Sequence, residues 1–195
     1  MHVLAPVPAF SDISPTPRWT DLDVIPRDTL SLATIQVRSE RYSELARRTL
    51  GRFGLTLPDS PRRSSAGAMA IVGLAPNRWL AMQDGAEHDL AASLAYEFSD
   101  LATVADHTGG YGVLRLVGRA TVATLSRLVP LDLHPGSFAI GDAANTEAAH
   151  INVSLWRIDN GPDGHPAFEI ACPRSFAVSF WHCLSEAAAS ATGTR

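Results

Sequence analysis

The chain contains no lysine; all 16 of its basic side chains are arginine. That removes a Schiff-base lysine, a P-loop lysine and a lysine general base from the possible chemistries. An arginine-only basic set has an ordinary reading in genomic base composition. Cysteine is almost as scarce: Cys172 and Cys183 are the only two, each in an apolar run, and they read as small buried hydrophobes rather than a disulfide framework. No apolar stretch approaches the roughly 18 residues that a membrane span needs. Residues 1–8 lack both a basic n-region and an uninterrupted apolar h-region, so no secretory signal is expected and the chain reads as soluble and cytoplasmic. Excess basic charge is missing too. A net charge of −4 argues against nucleic acid or an anionic membrane as the main partner.

What is present is apolar patterning. With 195 residues, 46% hydrophobic and 18% charged, the chain can build one sizeable core or two small ones in contact. Residues 1–30 carry five prolines (Pro6, Pro8, Pro15, Pro17 and Pro26) and show no helical or strand period. They are expected to form an extended arm, whose apolar Phe10, Ile13, Trp19 and Leu22 pack either on their own domain or across a partner subunit. From residue 31 the pattern is regular. Ala33, Ile35 and Val37 alternate as a strand should. Tyr42, Leu45, Ala46, Thr49, Leu50 and Phe53 make an amphipathic stripe that Gly54 ends. Residues 59–65 read as a polar loop; 68–72 and 79–82 as strands about a turn; Leu90, Leu94 and Phe98 as a helix; 101–105 as a strand.

The order then repeats. A strand over 111–117 precedes a helix marked by Val122, Leu125, Leu128 and Val129 and stopped by Pro130. Strands over 151–155 and 168–172 flank the dense turn 159–164, and Phe176, Phe180, Leu184 and Ala188 form a closing helical stripe with Ser175 as N-cap. Residues 49–57 also echo 124–133 with one insertion. The expected fold is α+β: two related strand-helix-strand-strand-helix units in one compact body over 31–190, with 191–195 as a tail.

Chemical groups are sparse. Asp106 and His107 are neighbours on a strand end and point to opposite faces. Gly109-Gly110-Tyr111-Gly112 precedes a strand, whereas a phosphate-cradling loop opens a helix, so a turn with unusual backbone angles is expected there. The seven histidines are scattered without ligand spacing. Trp79, Trp156 and Trp181 fall on core positions, and no serine sits in a nucleophile elbow. Arg174 either pairs locally or reaches a neighbouring subunit. The expected partner-interface residues are therefore Phe10, Trp19 and Arg174; no catalytic, cofactor-binding or metal-binding residue is assigned.

Several segments carry a resemblance. Residues 105–118 (Ala-Asp-His through Val-Leu-Arg-Leu-Val-Gly), 125–128, 168–177 (Phe-Glu-Ile-Ala-Cys-Pro-Arg-Ser-Phe-Ala), Phe180-Trp181 and 73–80 resemble the gamma subunit of heterotetrameric sarcosine oxidase. The likeness spans roughly residues 30–190, and that family resembles in fold the folate-binding domain of aminomethyltransferase. The resemblance implies a non-catalytic structural subunit of a complex that demethylates sarcosine to glycine, passes the one-carbon unit to tetrahydrofolate and releases hydrogen peroxide. It implies alpha, beta and delta subunits as partners, with FAD, FMN, NAD, tetrahydrofolate and zinc bound by them. The aminomethyltransferases carry an acid just before the strand equivalent to 151–155; here the stretch reads Glu147-Ala148-Ala149-His150. Two alternatives remain: a stand-alone folate-dependent one-carbon transferase using Glu147 or Asp106, and the equivalent subunit of a related N-methyl amino acid dehydrogenase. The apolar arm and composition further imply that the isolated chain is sticky or poorly soluble.

Overall fold

A computed structural model of the chain describes residues 7–11, 18–85 and 89–193. Ile13, Pro6, Pro15 and Pro17 of the arm, most of the expected non-signal N-terminus, and residues 194–195 of the expected tail lie outside the described residues. In chain order the elements are β1 (Asp23–Pro26), β2 (Leu30–Val37), α1 (Tyr42–Phe53), β3 (Arg63–Ala66), β4 (Met69–Ala75), β5 (Arg78–Asp84), α2 (Leu90–Glu97) and β6 (Ala102–Asp106). They continue with β7 (Tyr111–Val117), α3 (Thr121–Leu125), β8 (Ala143–Ala148), β9 (Ile151–Ile158), β10 (Ala167–Pro173) and α4 (Ala177–Thr192).

The strands form two five-stranded antiparallel sheets, ordered β3-β4-β5-β2-β6 and β8-β9-β10-β7-β1. The two orders superpose term by term. Each unit is the expected strand, helix, strand pair and helix, completed by two edge strands; of these four edges the periodicity announces β6 and not β1, β3 or β8. In the first unit the second edge is β6, which follows α2. In the second it is β1, which comes from the start of the chain.

Alternation along the strands explains the layers. Ala33, Ile35 and Val37 of β2, Ile71 of β4 and Trp79 and Ala81 of β5 pack with Leu45 of α1 and Leu90 and Leu94 of α2. The opposite side chains of the same strands, Leu30, Leu32, Ala70, Val72, Leu80 and Met82, meet Val113, Trp156, Ile158 and Ala171 of the other sheet. Leu114, Leu116, Leu155, Phe168 and Ile170 then face Phe180 and Leu184 of α4. The result is a helix–sheet–sheet–helix sandwich, with strands apolar on both faces because both faces are covered. The helix ends are locally specified. Gly54 sits at φ +66 and donates to Leu50 O (2.9 Å), and the Asp89 side chain accepts from Ala92 N–H (2.9 Å).

Several expectations need correction. Residues 63–65, read as loop, belong to edge strand β3. The helix expected over Val122–Val129 ends at Leu125, although Leu125 and Val129 are both buried. Ser175 is not an N-cap: a 3₁₀ turn over Arg174–Phe176 precedes α4, and no side chain caps either. That turn also moves the helical period, so Phe176 is 49% exposed and the buried stripe is Ala177, Phe180, Trp181, Leu184 and Ala188. The final helix runs to Thr192, into the stretch expected as a tail. The echo between 49–57 and 124–133 falls at equivalent places, around the end of the first helix of each unit, where Thr49 and Thr124 are both buried.

One charged group lies deep between the sheets. Glu169 of β10 is 2% exposed and sits in one cross-strand row with Arg115 and Trp156. Arg115 donates to its Oε1 from Nε (3.0 Å) and Nη2 (2.7 Å), and Trp156 Nε1–H donates to Oε2 (2.9 Å). Arg27 Nε approaches to 3.5 Å, and its Nη2 pairs with Asp84 (2.7 Å), whose other oxygen accepts from Thr29 (2.8 Å). The Thr29 hydrogen bond and Arg27 hold the Asp84 carboxyl below the usual carboxylate range. Removing one member of a buried pair leaves the rest uncompensated. Glu169→Ala should therefore cost about 3 kcal/mol, the lower end of the usual range because Arg115 keeps partial solvent access. Urea denaturation measures this, and Glu169→Gln, which retains an acceptor for Trp156, should lose less.

The β8–β9 connection is a two-residue turn in which Ala149 (φ 49) and His150 (φ 67) both adopt left-handed backbone angles. Such turns favour Asn-Gly, and other residues carry strain there. The turn is held by Ala149 N–H donating to Leu128 O (3.1 Å). Replacing Ala149-His150 by Asn-Gly should stabilise the fold by about 1 kcal/mol, read by calorimetry as a rise of roughly 2–4 °C in melting temperature.

Candidate functional site

The space between the sheets opens to solvent at two clefts. The smaller, about 210 Å³, lies where β2 and β7 begin, between Arg27, Leu32, Thr108, Tyr111, Val113 and Arg174. The larger, about 560 Å³, lies between the β4–β5 turn and the β8–β9 hairpin, lined by Arg78, Tyr111, Asn145, Glu147, Asn152 and Ser154.

Two polar groups in the larger cleft are committed to structure. Asn145 donates its amide to Leu74 O and accepts at Oδ1 from Ser154 Oγ (2.6 Å), which ties the hairpin to β4. Glu147 is exposed on the outer edge of β8, one residue before the hairpin closes. Asp106, the other candidate acid, is at the end of β6 in the opposite sheet and lines neither cleft. Its Oδ1 accepts from Thr108 N–H (2.9 Å), and hydrogen bonding from Thr108 holds its carboxyl below the usual range. The two acids therefore do not converge. The His107 ring lies tilted against Tyr111 (ring centroids 5.6 Å apart, planes at 55°).

The glycine-rich turn has a different basis from the one expected. Gly109, Gly110 and Gly112 are absent from the positive-φ positions. Gly112 is required by space: a Cβ there would lie 2.6 Å from the Phe10 ring and 2.8 Å from Ala9 Cβ. The segment around Phe10 thus lies on the start of β7.

Of the three expected partner-contact residues, two are packed within this chain. Phe10 and Trp19 are 4% and 9% exposed, with ring centroids 6.5 and 5.9 Å from Trp181 of α4. Leu22 and Val24 join the same cluster, and β1 completes the second sheet. Arg174 is exposed; its backbone N–H donates to Gly110 O (2.9 Å), and no described carboxylate pairs with its guanidinium. Phe176 and Val178 beside it are 49% and 53% exposed. Sequence reasoning missed that apolar pair because Phe176 fits a helical stripe that begins one residue later.

Both cysteines are free. Burial pushes the Cys172 thiol up to about 12, so it is a packing residue rather than a nucleophile. Among the described residues no group of three His, Cys, Asp or Glu side chains could hold a metal ion. No helix of the described chain is long and apolar enough to cross a membrane. Ellman's reagent at pH 8 should titrate one thiol per native chain, Cys183, and two in denaturant; equal reactivity of Cys172 in the native protein would show that the β10 core opens.

The model of the family described as "Sarcosine oxidase, gamma subunit family" matches residues 44–190. Among solved structures, the chain is similar to one in heterotetrameric sarcosine oxidase from Corynebacterium sp. U-96 in complex with pyrrole 2-carboxylate. The TM-score is 0.80 at 21% identity, over 95% of this chain and 96% of that one. It is also similar to glycine cleavage system aminomethyltransferase T from Bartonella henselae, with a TM-score of 0.61 at 14% identity, over 85% of this chain and 46% of that one. These likenesses establish an aminomethyltransferase-like fold. No curated protein matches the chain.

Proposed function

The chain belongs to the sarcosine oxidase gamma subunit family, and we propose that it is a non-catalytic structural subunit of a heterotetrameric sarcosine oxidase. The observation that carries the non-catalytic reading is the separation of its acids. Asp106 and Glu147 stand on different sheets, Asp106 is engaged by Thr108, and the Cys172 thiol is sealed in the core. The reaction of the complex would be oxidative demethylation of sarcosine to glycine. The one-carbon unit goes to tetrahydrofolate, and dioxygen takes the two electrons as hydrogen peroxide.

In this reading alpha, beta and delta subunits hold FAD, FMN, NAD, tetrahydrofolate and zinc, in the cytoplasm. Residues of this chain do not suit the phosphates of a dinucleotide. Gly109–Gly112 joins two strands instead of opening a helix, and Phe10 fills the space over Gly112. A zinc ion would find no set of three ligands among the described residues. Glu147, beside a cleft of about 560 Å³, favours a second reading as a folate-dependent one-carbon transferase. A third, the same subunit of a related N-methyl amino acid dehydrogenase, differs only in a substrate pocket carried by another chain.

Co-expression with its alpha, beta and delta partners should yield one stable complex with sarcosine-dependent peroxide formation, and the isolated chain should form none. Peroxide from the isolated chain, or failure to co-purify, would sink the structural-subunit reading. Calorimetric heat on titrating tetrahydrofolate into the chain would favour the transferase.

A further inference from the structure

We infer that the outer edge of β6 is the docking site for an extended segment of a partner subunit, which adds to the first sheet as a sixth strand. The inference rests on the structural-subunit reading above. It follows from the direction of the backbone groups. Val37 N–H donates to Asn77 O toward β5 (3.0 Å), while Leu32 O accepts from His107 N–H beyond the end of β6 (2.8 Å). Peptide groups alternate along an antiparallel strand, so Thr34 and Gln36 point to β6 and their partners Ala105 and Thr103 point back. Ala102, Val104 and Asp106 therefore direct their peptide groups away from the sheet. Ala102 N–H is taken by Phe98 O (2.9 Å). Among the described residues, the Ala102, Val104 and Asp106 carbonyls and the Val104 and Asp106 amides have no backbone partner.

The other three sheet edges are better protected. Beside β3 and β8, the sheets are stitched by Arg63 N–H to Gly141 O (2.6 Å), Ala143 N–H to Pro61 O (3.0 Å) and the Arg62–Asp142 ion pair (2.8 Å). Further along β8, the Asn145 side chain bridges to β4 and Glu147 adds charge. On β1 the outward positions are 24 and 26; position 26 is proline with no N–H to offer, which leaves Val24 as the single outward amide of that edge, against two on β6. Charge, proline and covering contacts are the devices that keep sheet edges from pairing. Edge β6 has none of them before Asp106. It presents small Thr103 and Ala105 on its exposed face and Ala102 and Val104 packed on the first core. An unblunted edge recruits extended backbone, and the incoming strand should place apolar residues in register with Ala102 and Val104. A partner subunit is the occupant because the solved structure similar over nearly the whole chain is described as heterotetrameric.

Val104→Pro removes the outward amide without touching the β2 ladder, and Val104→Ala keeps the amide while trimming the side chain. In co-expression with the other subunits, Val104→Pro should reduce retained partner by at least about tenfold, the effect of losing one or two edge hydrogen bonds, while Val104→Ala assembles normally. Wild-type assembly together with normal Val104→Pro assembly would overturn the edge proposal and leave the subunit reading intact. Failure of the wild type to assemble would end both. A wild-type homodimer that Val104→Pro converts to monomer would assign the edge to a second copy and overturn the proposal too. If Val104→Pro does not fold, hydrogen exchange in the purified wild-type complex decides: the Val104 and Asp106 amides should exchange as slowly as Thr103 and Ala105, and rapid exchange refutes the docking.

Discussion

The whole architecture depends on two sheets burying their inner faces against each other. Each sheet is already covered by helices on its outer side, so the inner layer has no other way to leave water. Leu30, Leu32, Val72, Leu80, Met82, Trp156 and Ile158 make most of that contact apolar. Glu169 is the exception, and it sets a geometric condition. A carboxylate 2% exposed is tolerable only if its lone pairs and its charge are met: Arg115 on β7 and Trp156 on β9 donate to it, and Arg27 after β1 adds a second cation at 3.5 Å. Arg27 then reaches Asp84 at the end of β5. The charge thus couples the register of the second sheet to the position of the first, and requires that the start of the chain be in place.

That requirement explains how the amino-terminal stretch differs from an independent arm. Its prolines conceal any period, yet Val24 alternates with Ile25 on β1 and Trp19 packs on Trp181. Proline at an outward position of an edge strand is compatible with pairing on one side, so Pro26 ends β1 without preventing it. The same reasoning accounts for β3 and β8. Arg63-Ser64-Ser65-Ala66 and Ala143-Ala144-Asn145-Thr146 lack the apolar alternation that betrays a half-buried strand, because edge strands bury less and are specified by their neighbours. The inner strands β2, β4, β5, β7, β9 and β10 were legible from their own residues, as was edge strand β6; the edges β1, β3 and β8 were not.

At the candidate site the apolar run around Cys172 was legible and its burial follows from it, whereas the hydrogen bond from Thr108 that engages Asp106 depends on the turn after β6 and had no sequence signal. Phe10, Trp19 and Phe176 were not legible, because whether a lone aromatic is covered depends on distant segments. Trp181 covers the first two, and a 3₁₀ turn one residue ahead of α4 rotates the third into solvent. No local signal encodes either outcome.

Duplication gives the fold a matched set of edges, and the two units finish theirs differently. One pair, β3 and β8, is sewn together by backbone hydrogen bonds and the Arg62–Asp142 ion pair. The other pair, β6 and β1, occupies equivalent positions but has unequal chemistry: β1 ends in proline and keeps one outward amide, at Val24, whereas β6 keeps two. If the open pair served stability alone, both edges would gain from being blunted, since an exposed ladder adds risk of non-specific pairing without adding burial. The asymmetry places most of the cost of openness on one strand. Arg174, Phe176 and Val178, which begin the last helix, likewise stay outside the core. The interior is thereby closed by Glu169 and its partners, while these exposed side chains and the outward amides of β6 lie at the periphery.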